Sequence, residues 1–233
     1  MGDIKYDFCV LITTYNREEM LKLLLDDIFS YDEYNILVVI FDDGSDQKYN
    51  LSNYDVKYIK YVKNNGLKNV WRIITDVFKF CKHINSEYFI FLQDDLRLKD
   101  NFFSDCVKIY EEIDDENKIS LETLIIESQR NKPKWTNFIP EEFDKHYLSQ
   151  WVELVFICKY KFFEVLDFKI NPIPENRWDK NPNLSCGVGD QMSHRLLKMG
   201  YNMYQVKDSL TIHDDHDSVF FHEFRQTEKL ISK

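Results

Sequence analysis

The chain has 233 residues, 44% of them hydrophobic and 15% aromatic, enough to bury one sizeable core. Its net charge is -10, from 30 Lys and Arg against 40 Asp and Glu, and no basic run or stripe appears. That balance excludes a nucleic-acid binder held by a cationic face, so any anionic ligand must be gripped locally, by a few placed donors or a bound cation.

The elements follow in order. "FCVLIT" at 8–13 is β-rich, and "REEMLKLLLDDIF" then repeats Met20, Leu21, Leu24, Leu25 and Ile28 at helical spacing. "ILVVIF" at 36–41 has the pattern of a buried strand, and "VKYIKYV" at 56–62 alternates. "NVWRIITDVFKFC" gathers Val70, Ile73, Ile74, Val77, Phe78 and Cys81 on one helical face before the strand "YFIFL". Non-alternating strands separated by amphipathic helices predict an α/β fold with a mostly parallel central sheet flanked by helices.

The second half is less regular. "ISLETLIIES" and "WVELVFIC" read as strands, 171–186 as a loop rich in Pro and Asn, and "DQMSHRLLKMG" as a helix closed by Gly200. A loop of that length inside a compact domain is expected to serve as a lid or binding element. The five cysteines are widely spaced, odd in number and without a C-x-x-C pair, so they indicate neither a zinc site nor a disulfide framework. They fit a reducing compartment. The longest apolar run is too short to span a bilayer and the N-terminus has no secretory signal pattern, so the expectation is a cytoplasmic protein without a transmembrane segment.

Three strand ends carry polar clusters: "TTYNR" at 13–17, "DDGSD" at 42–46 and "QDD" at 93–95. In an open parallel sheet, ligands bind outside the carboxyl ends of the strands, so the clusters should converge on one rim. Alone, "DDGSD" reads as a turn and "QDD" as a helix-capping loop. Together, "VLITTYNREEMLKLLLDDIF", "ILVVIFDDGSD", "NNGLKNVWRIITDVFKF" and "YFIFLQDDL" resemble the nucleotide-sugar-binding half of family 2 glycosyltransferases with the GT-A fold.

The resemblance implies a nucleotide-sugar-binding half over 1–115 and an acceptor-binding, catalytic half over 116–233 of one compact domain. It implies that Thr13, Tyr15 and Arg17 flank the base, that Asp43 accepts a hydrogen bond from it, and that Arg72 approaches the nucleotide. The family's D-x-D motif maps to Gln93, Asp94 and Asp95, with Asp95 on Mn²⁺ or Mg²⁺ and Asp94 near ribose or sugar hydroxyls. Gln93 stands where many members carry an acid. Oxygen ligands suit such hard cations, which offset the charge of a departing diphosphate.

"CGVGDQMSHRLLKMGY" is similar to the family's acceptor-side motif, which assigns the catalytic base of an inverting reaction to Asp190; a helix N-cap is the plainer reading. In "SLTIHDDHDSVF", His213 matches the histidine that related enzymes place on the cation or diphosphate, and His216 lies three residues on. His and Asp also suit zinc, although no thiolate or second ligand helix accompanies them. Of Trp71, Trp135, Trp151 and Trp178, Trp178, inside the Pro/Asn loop, is expected to face an acceptor; Trp151 heads a strand and is read as packing, with a contact at the sugar as the alternative. The resemblance thus implies a glycosyltransferase moving a sugar from a nucleoside diphosphate donor, with uracil the commonest base, to a glycan or glycoprotein. The alternative is a catalytically silent nucleotide or carbohydrate binder of the same fold.

Overall fold

The structure is a computed structural model and describes residues 5–125, 141–181 and 184–213. Trp135, and His216 with its flanking acids, lie outside the described residues.

Strands β1 (Tyr6–Thr14), β2 (Ile36–Asp42), β3 (Val56–Lys60) and β4 (Ser86–Gln93) stand in the order β3-β2-β1-β4, every neighbouring pair parallel. Helix α1 (Glu18–Phe29) makes the crossover from β1 to β2, and α2 (Val70–Cys81) that from β3 to β4. Leu21, Leu24, Leu25 and Ile28 of α1 are buried on one face of the sheet, and Ile73, Ile74, Val77 and Phe78 of α2 on the other. With both faces covered, Val38–Phe41 and Tyr88–Leu92 are buried continuously, which is why these strands show no polar alternation.

The sheet continues through β9 (Phe156–Cys158), β6 (Lys118–Glu122), β10 (Asn202–Val206), β8 (His146–Leu148) and β7 (Glu141–Glu142). β9 runs antiparallel to both β4 and β6, so β6 and β4 point the same way. Helix α5 (Val188–Lys198) precedes β10, which is parallel to β6; its N-terminal end therefore lies at the rim where β1, β2 and β4 end. Helices α3 (Phe102–Glu112) and α4 (Lys161–Val165) complete the layers.

The strand expected over 151–158 pairs only from Phe156. Upstream, the Val152 N–H donates to Ser193 Oγ and the Glu153 N–H to Glu122 Oε1, so side chains take donors that a ladder would have used. Within 171–186, Glu175–Trp178 forms a single 3₁₀ turn. Among the described residues, no helix is long and apolar enough to cross a membrane.

Candidate active site

The rim begins at the end of β2. Asp42 is fully buried; its carboxylate accepts from the Ser45 N–H at 2.8 Å and from the Tyr58 hydroxyl, which makes it a structural anchor for the turn. Asp43 turns the other way. Oδ1 accepts from the Asn65 N–H at 3.1 Å and Asn65 Nδ2 at 2.6 Å, while Oδ2 accepts from Asn64 Nδ2 at 3.2 Å. Burial pushes its pKa above the ordinary carboxylate value, and the Asn65 hydrogen bonds counter part of that rise.

At the end of β1 the chain turns through Asn16, at φ +53°, and its backbone is fixed from the Asp43 loop. The Asn16 N–H donates to Ser45 Oγ at 2.8 Å, and the Arg17 N–H to Tyr49 Oη at 2.8 Å. Tyr49 also shares a 2.7 Å hydrogen bond with Ser45 and a 3.4 Å one with Thr14. The two loops are thereby tied into one unit.

Arg17 then reaches across to the end of β4. Its Nη1 lies 2.6 Å from Asp95 Oδ2 and 3.2 Å from Asp94 Oδ1, and the Tyr15 N–H donates to Asp94 Oδ2 at 3.4 Å. Each of these carboxylate residues is 5% exposed. The short antiparallel pair of β5 (Leu96–Leu98) and β11 (Thr211–His213) sets His213 opposite Leu96 and brings its Nε2 to 3.4 Å from Asp95 Oδ2. Arg17, Asp94, Asp95 and His213 therefore converge from three distant parts of the chain.

Burial holds the Asp94 pKa up at about 6, against the opposing pull of Arg17 and with a further push from Asp95. Because the folded value exceeds the ordinary 3.8, the native state holds this proton more tightly than the unfolded chain does. The resulting stabilisation is complete below pH ~3.8 and lost as pH rises through ~6. At neutral pH the ionised group costs about 3 kcal/mol. Asp94→Asn is accordingly expected to raise Tm at pH 7.5 by about 8 °C and to change it little at pH 4, as calorimetric scanning at the two pH values would show.

Asp95 Oδ1 is buried and has no hydrogen-bond partner among the described residues. A buried carboxylate oxygen left without a donor is costly in the free protein and suits a cation, and the neighbouring imidazole is a second ligand type. Among the described residues, no three His, Cys, Asp or Glu side chains already enclose a metal position. The fit is therefore to a cation that the protein holds through one or two side chains, with ligand oxygens completing its shell.

The remaining sequence-predicted residues stand apart from this cluster. Thr13 is half-buried at the end of β1, between Phe41 and Gln93 in register. Arg72 is exposed on the first turn of α2, its guanidinium 5.2 Å from the Trp71 ring centroid. Trp178 is 4% exposed, with Nε1–H donating to the Leu184 carbonyl, so its ring is buried and does not face outward. Asp190 lies on the outer face of α5, its Oδ2 3.4 Å from Arg177 Nη1. It opens on a cavity of about 630 Å³ between α5 and the loop, lined also by Asn171, Pro174, Gln191 and His194.

Sequence reasoning gave no role to Tyr49, Asn64, Asn65, Glu122 or Glu153. Asn64 and Asn65 carried a signal, since "NNG" before a helix marks a structured turn. Tyr49 carried none.

The description "Glycosyl transferase family 2" matches residues 9–166. No curated protein matches the sequence. Among solved structures, S. aureus TarS (residues 1–349) is similar with a TM-score of 0.58 at 14% identity, over 88% of this chain and 59% of that one. PcManGT, a mannosyltransferase from Pyrobaculum calidifontis in complex with GDP-Man and Mn²⁺, gives 0.59 at 14% identity over 94% and 60%. GalNAc-T7 with UDP, GalNAc and Mn²⁺ gives 0.58 at 14% identity over 86% and 42%. The chain thus spans 60% or less of the length of each of these structures, and at such identity the likeness is one of fold. The family match covers more than half of the chain and begins in β1, and with it the chain belongs to glycosyl transferase family 2.

Proposed function

We propose that the protein is a metal-dependent glycosyltransferase that moves a sugar from a nucleoside diphosphate donor, UDP-linked by family frequency, to a glycan or glycoprotein acceptor with inversion. Residues 1–115 hold the donor and 116–233 the acceptor. The observation that carries the reading is the convergence of Arg17, Asp94, Asp95 and His213 beside a preset Asp43, with Asp95 Oδ1 buried and without a donor. The nucleotides and Mn²⁺ held by PcManGT and GalNAc-T7 support it.

Asp43 accepts from the base, Thr13 and Tyr15 line it, Asp94 takes ribose or sugar hydroxyls, and Arg72 closes on the nucleotide from α2. Asp95 and His213 would hold Mn²⁺ or Mg²⁺, which when bound offsets the charge of the leaving diphosphate. Arg17, paired with Asp94 and Asp95, would flank the base with Thr13 and Tyr15. The carry-over from the family assigns the acceptor proton to Asp190, at the start of α5, and Trp178 to the acceptor loop. The protein works in the cytoplasm.

Arg17 on Asp95 also favours a second reading, a catalytically silent nucleotide binder that uses the guanidinium in place of a metal. A thermal-shift series with UDP, GDP and their sugars, with and without Mn²⁺, separates the two, because a ligand specific to the native state raises Tm. The transferase reading expects a shift that needs Mn²⁺ and slow release of nucleoside diphosphate from the matching sugar nucleotide. Equal shifts without metal and no turnover would establish the silent binder.

A further inference from the structure

We propose that Glu153, and not Asp190, is the carboxylate that accepts the acceptor's proton. The inference rests on the transferase reading above and names a catalytic residue of that same site.

The β4–β9 ladder pairs Phe89 with Cys158, Ile90 with Ile157 and Phe91 with Phe156, and ends there, two residues before the end of β4. The segment that carries Glu153 therefore leads into β9 from the same edge of the sheet at which β4 delivers the acidic pair. On its other side β9 pairs with β6, whose last residue, Glu122, is opposite Phe156.

Helix α5 approaches the same place. Its buried face carries Val188, Gly189, Met192, Ser193 and Leu196. A methyl group at position 189 would lie 2.7 Å from the Val152 carbonyl oxygen and 2.9 Å from Glu153 Oε2. The Glu153 carboxylate thus fills the space where the first turn of α5 would otherwise present a side chain to the rim. Trp151 Nε1–H donates to Glu153 Oε1 at 2.9 Å and fixes the orientation of the group. The positive end of the helix stabilises negative charge there.

Beneath it, Glu122 is 2% exposed and accepts the Glu153 N–H at 2.9 Å. Burial, then the Glu153 carboxylate, push the Glu122 pKa well above its ordinary value. Two carboxyls stacked at a strand end are an unfavourable arrangement for stability alone. The same rim holds Asp95 Oδ1, a nine-tenths buried acceptor with no partner among the described residues, a second sign that a ligand belongs here.

Asp190 is placed differently. One residue along α5 turns it to the outer face, where Arg177 meets it and where its cavity is lined by none of Asp43, Asp94, Asp95 or Glu153. In the step proposed, the acceptor oxygen bonds to the anomeric carbon as its proton moves to Glu153. The bond from that carbon to the diphosphate oxygen breaks, and its electron pair leaves with the nucleoside diphosphate.

The test compares Glu153→Gln with wild type in two assays: binding of UDP and GDP with Mn²⁺, and nucleoside diphosphate release from UDP-glucose, UDP-N-acetylglucosamine and GDP-mannose. Glutamine keeps the shape and an acceptor for Trp151. Nucleotide affinity should stay within threefold and turnover should fall at least 100-fold. Turnover should also fall at least tenfold further than in Asp190→Asn. A Glu153→Gln protein that keeps turnover within tenfold of wild type, loses nucleotide binding, or falls no further than Asp190→Asn overturns the assignment. Wild-type protein that binds neither nucleotide and releases neither product overturns the transferase reading itself.

Discussion

Replacing Asp95 by Asn is expected to lower turnover of the donor by about 10³-fold, equivalent to about 4 kcal/mol of lost transition-state stabilisation. The size follows from where the residue sits. Asp95 is 5% exposed, meets Arg17 at 2.6 Å through one oxygen and keeps the other without a hydrogen bond among the described residues. Asparagine preserves volume but removes the charge that would draw a divalent cation, and it leaves Arg17 with Asp94 alone at 3.2 Å. The nucleotide should still bind when Mn²⁺ is raised, because Asp43 and its asparagine supports are untouched. Steady-state kinetics at low and high Mn²⁺ check this, and an unchanged rate at both would remove Asp95 from the reaction.

Gly44→Ala is expected to be the most damaging single methyl on the donor side. Gly44 has φ +77°, and a Cβ there would lie 2.7 Å from Lys63 Cα and closer still to the Lys63 carbonyl carbon and the Asn64 nitrogen. Those atoms are backbone and cannot rotate away. Relief requires moving Lys63 and Asn64, and with them Asn65, whose amides together with that of Asn64 orient Asp43. Left-handed geometry and overpacking together should cost about 4 kcal/mol, a fall in Tm of about 10 °C. Nucleotide affinity should fall with it, and a variant as stable and as tight-binding as wild type would show that the loop is not set by this contact.

The donor half was legible because its physics is local. Strands buried on both faces read as unbroken apolar runs, and α1 and α2 carry their buried residues at helical spacing, so both helices appear within a residue or so of the expected limits. The rim followed from topology, since parallel strands must end together. What remained hidden depends on contacts between distant segments. Nothing in "QKYNL" marks Tyr49 as the post that joins the Thr14 and Ser45 loops. His213 reaches Asp95 only because β11 pairs with β5, a three-residue ladder with little sequence signature. Trp178 was weighed by its neighbours in a polar loop, yet its ring is buried beneath them. Glu153 lies inside a run that reads as strand, and the hydrogen bond of its N–H to Glu122 and its approach to Gly189 of α5 appear only once β9 is placed between β4 and β6.

Isothermal titration of UDP and of GDP into the wild-type protein, with and without Mn²⁺, bears most directly on the claim that the acidic rim works through a bound cation. The account predicts heat of binding for at least one nucleotide when Mn²⁺ is present, lost on removal of the ion and lost again in the Asp95→Asn protein at the same Mn²⁺ concentration. Binding of equal strength with and without the metal, or in the presence of Asn at position 95, would contradict it.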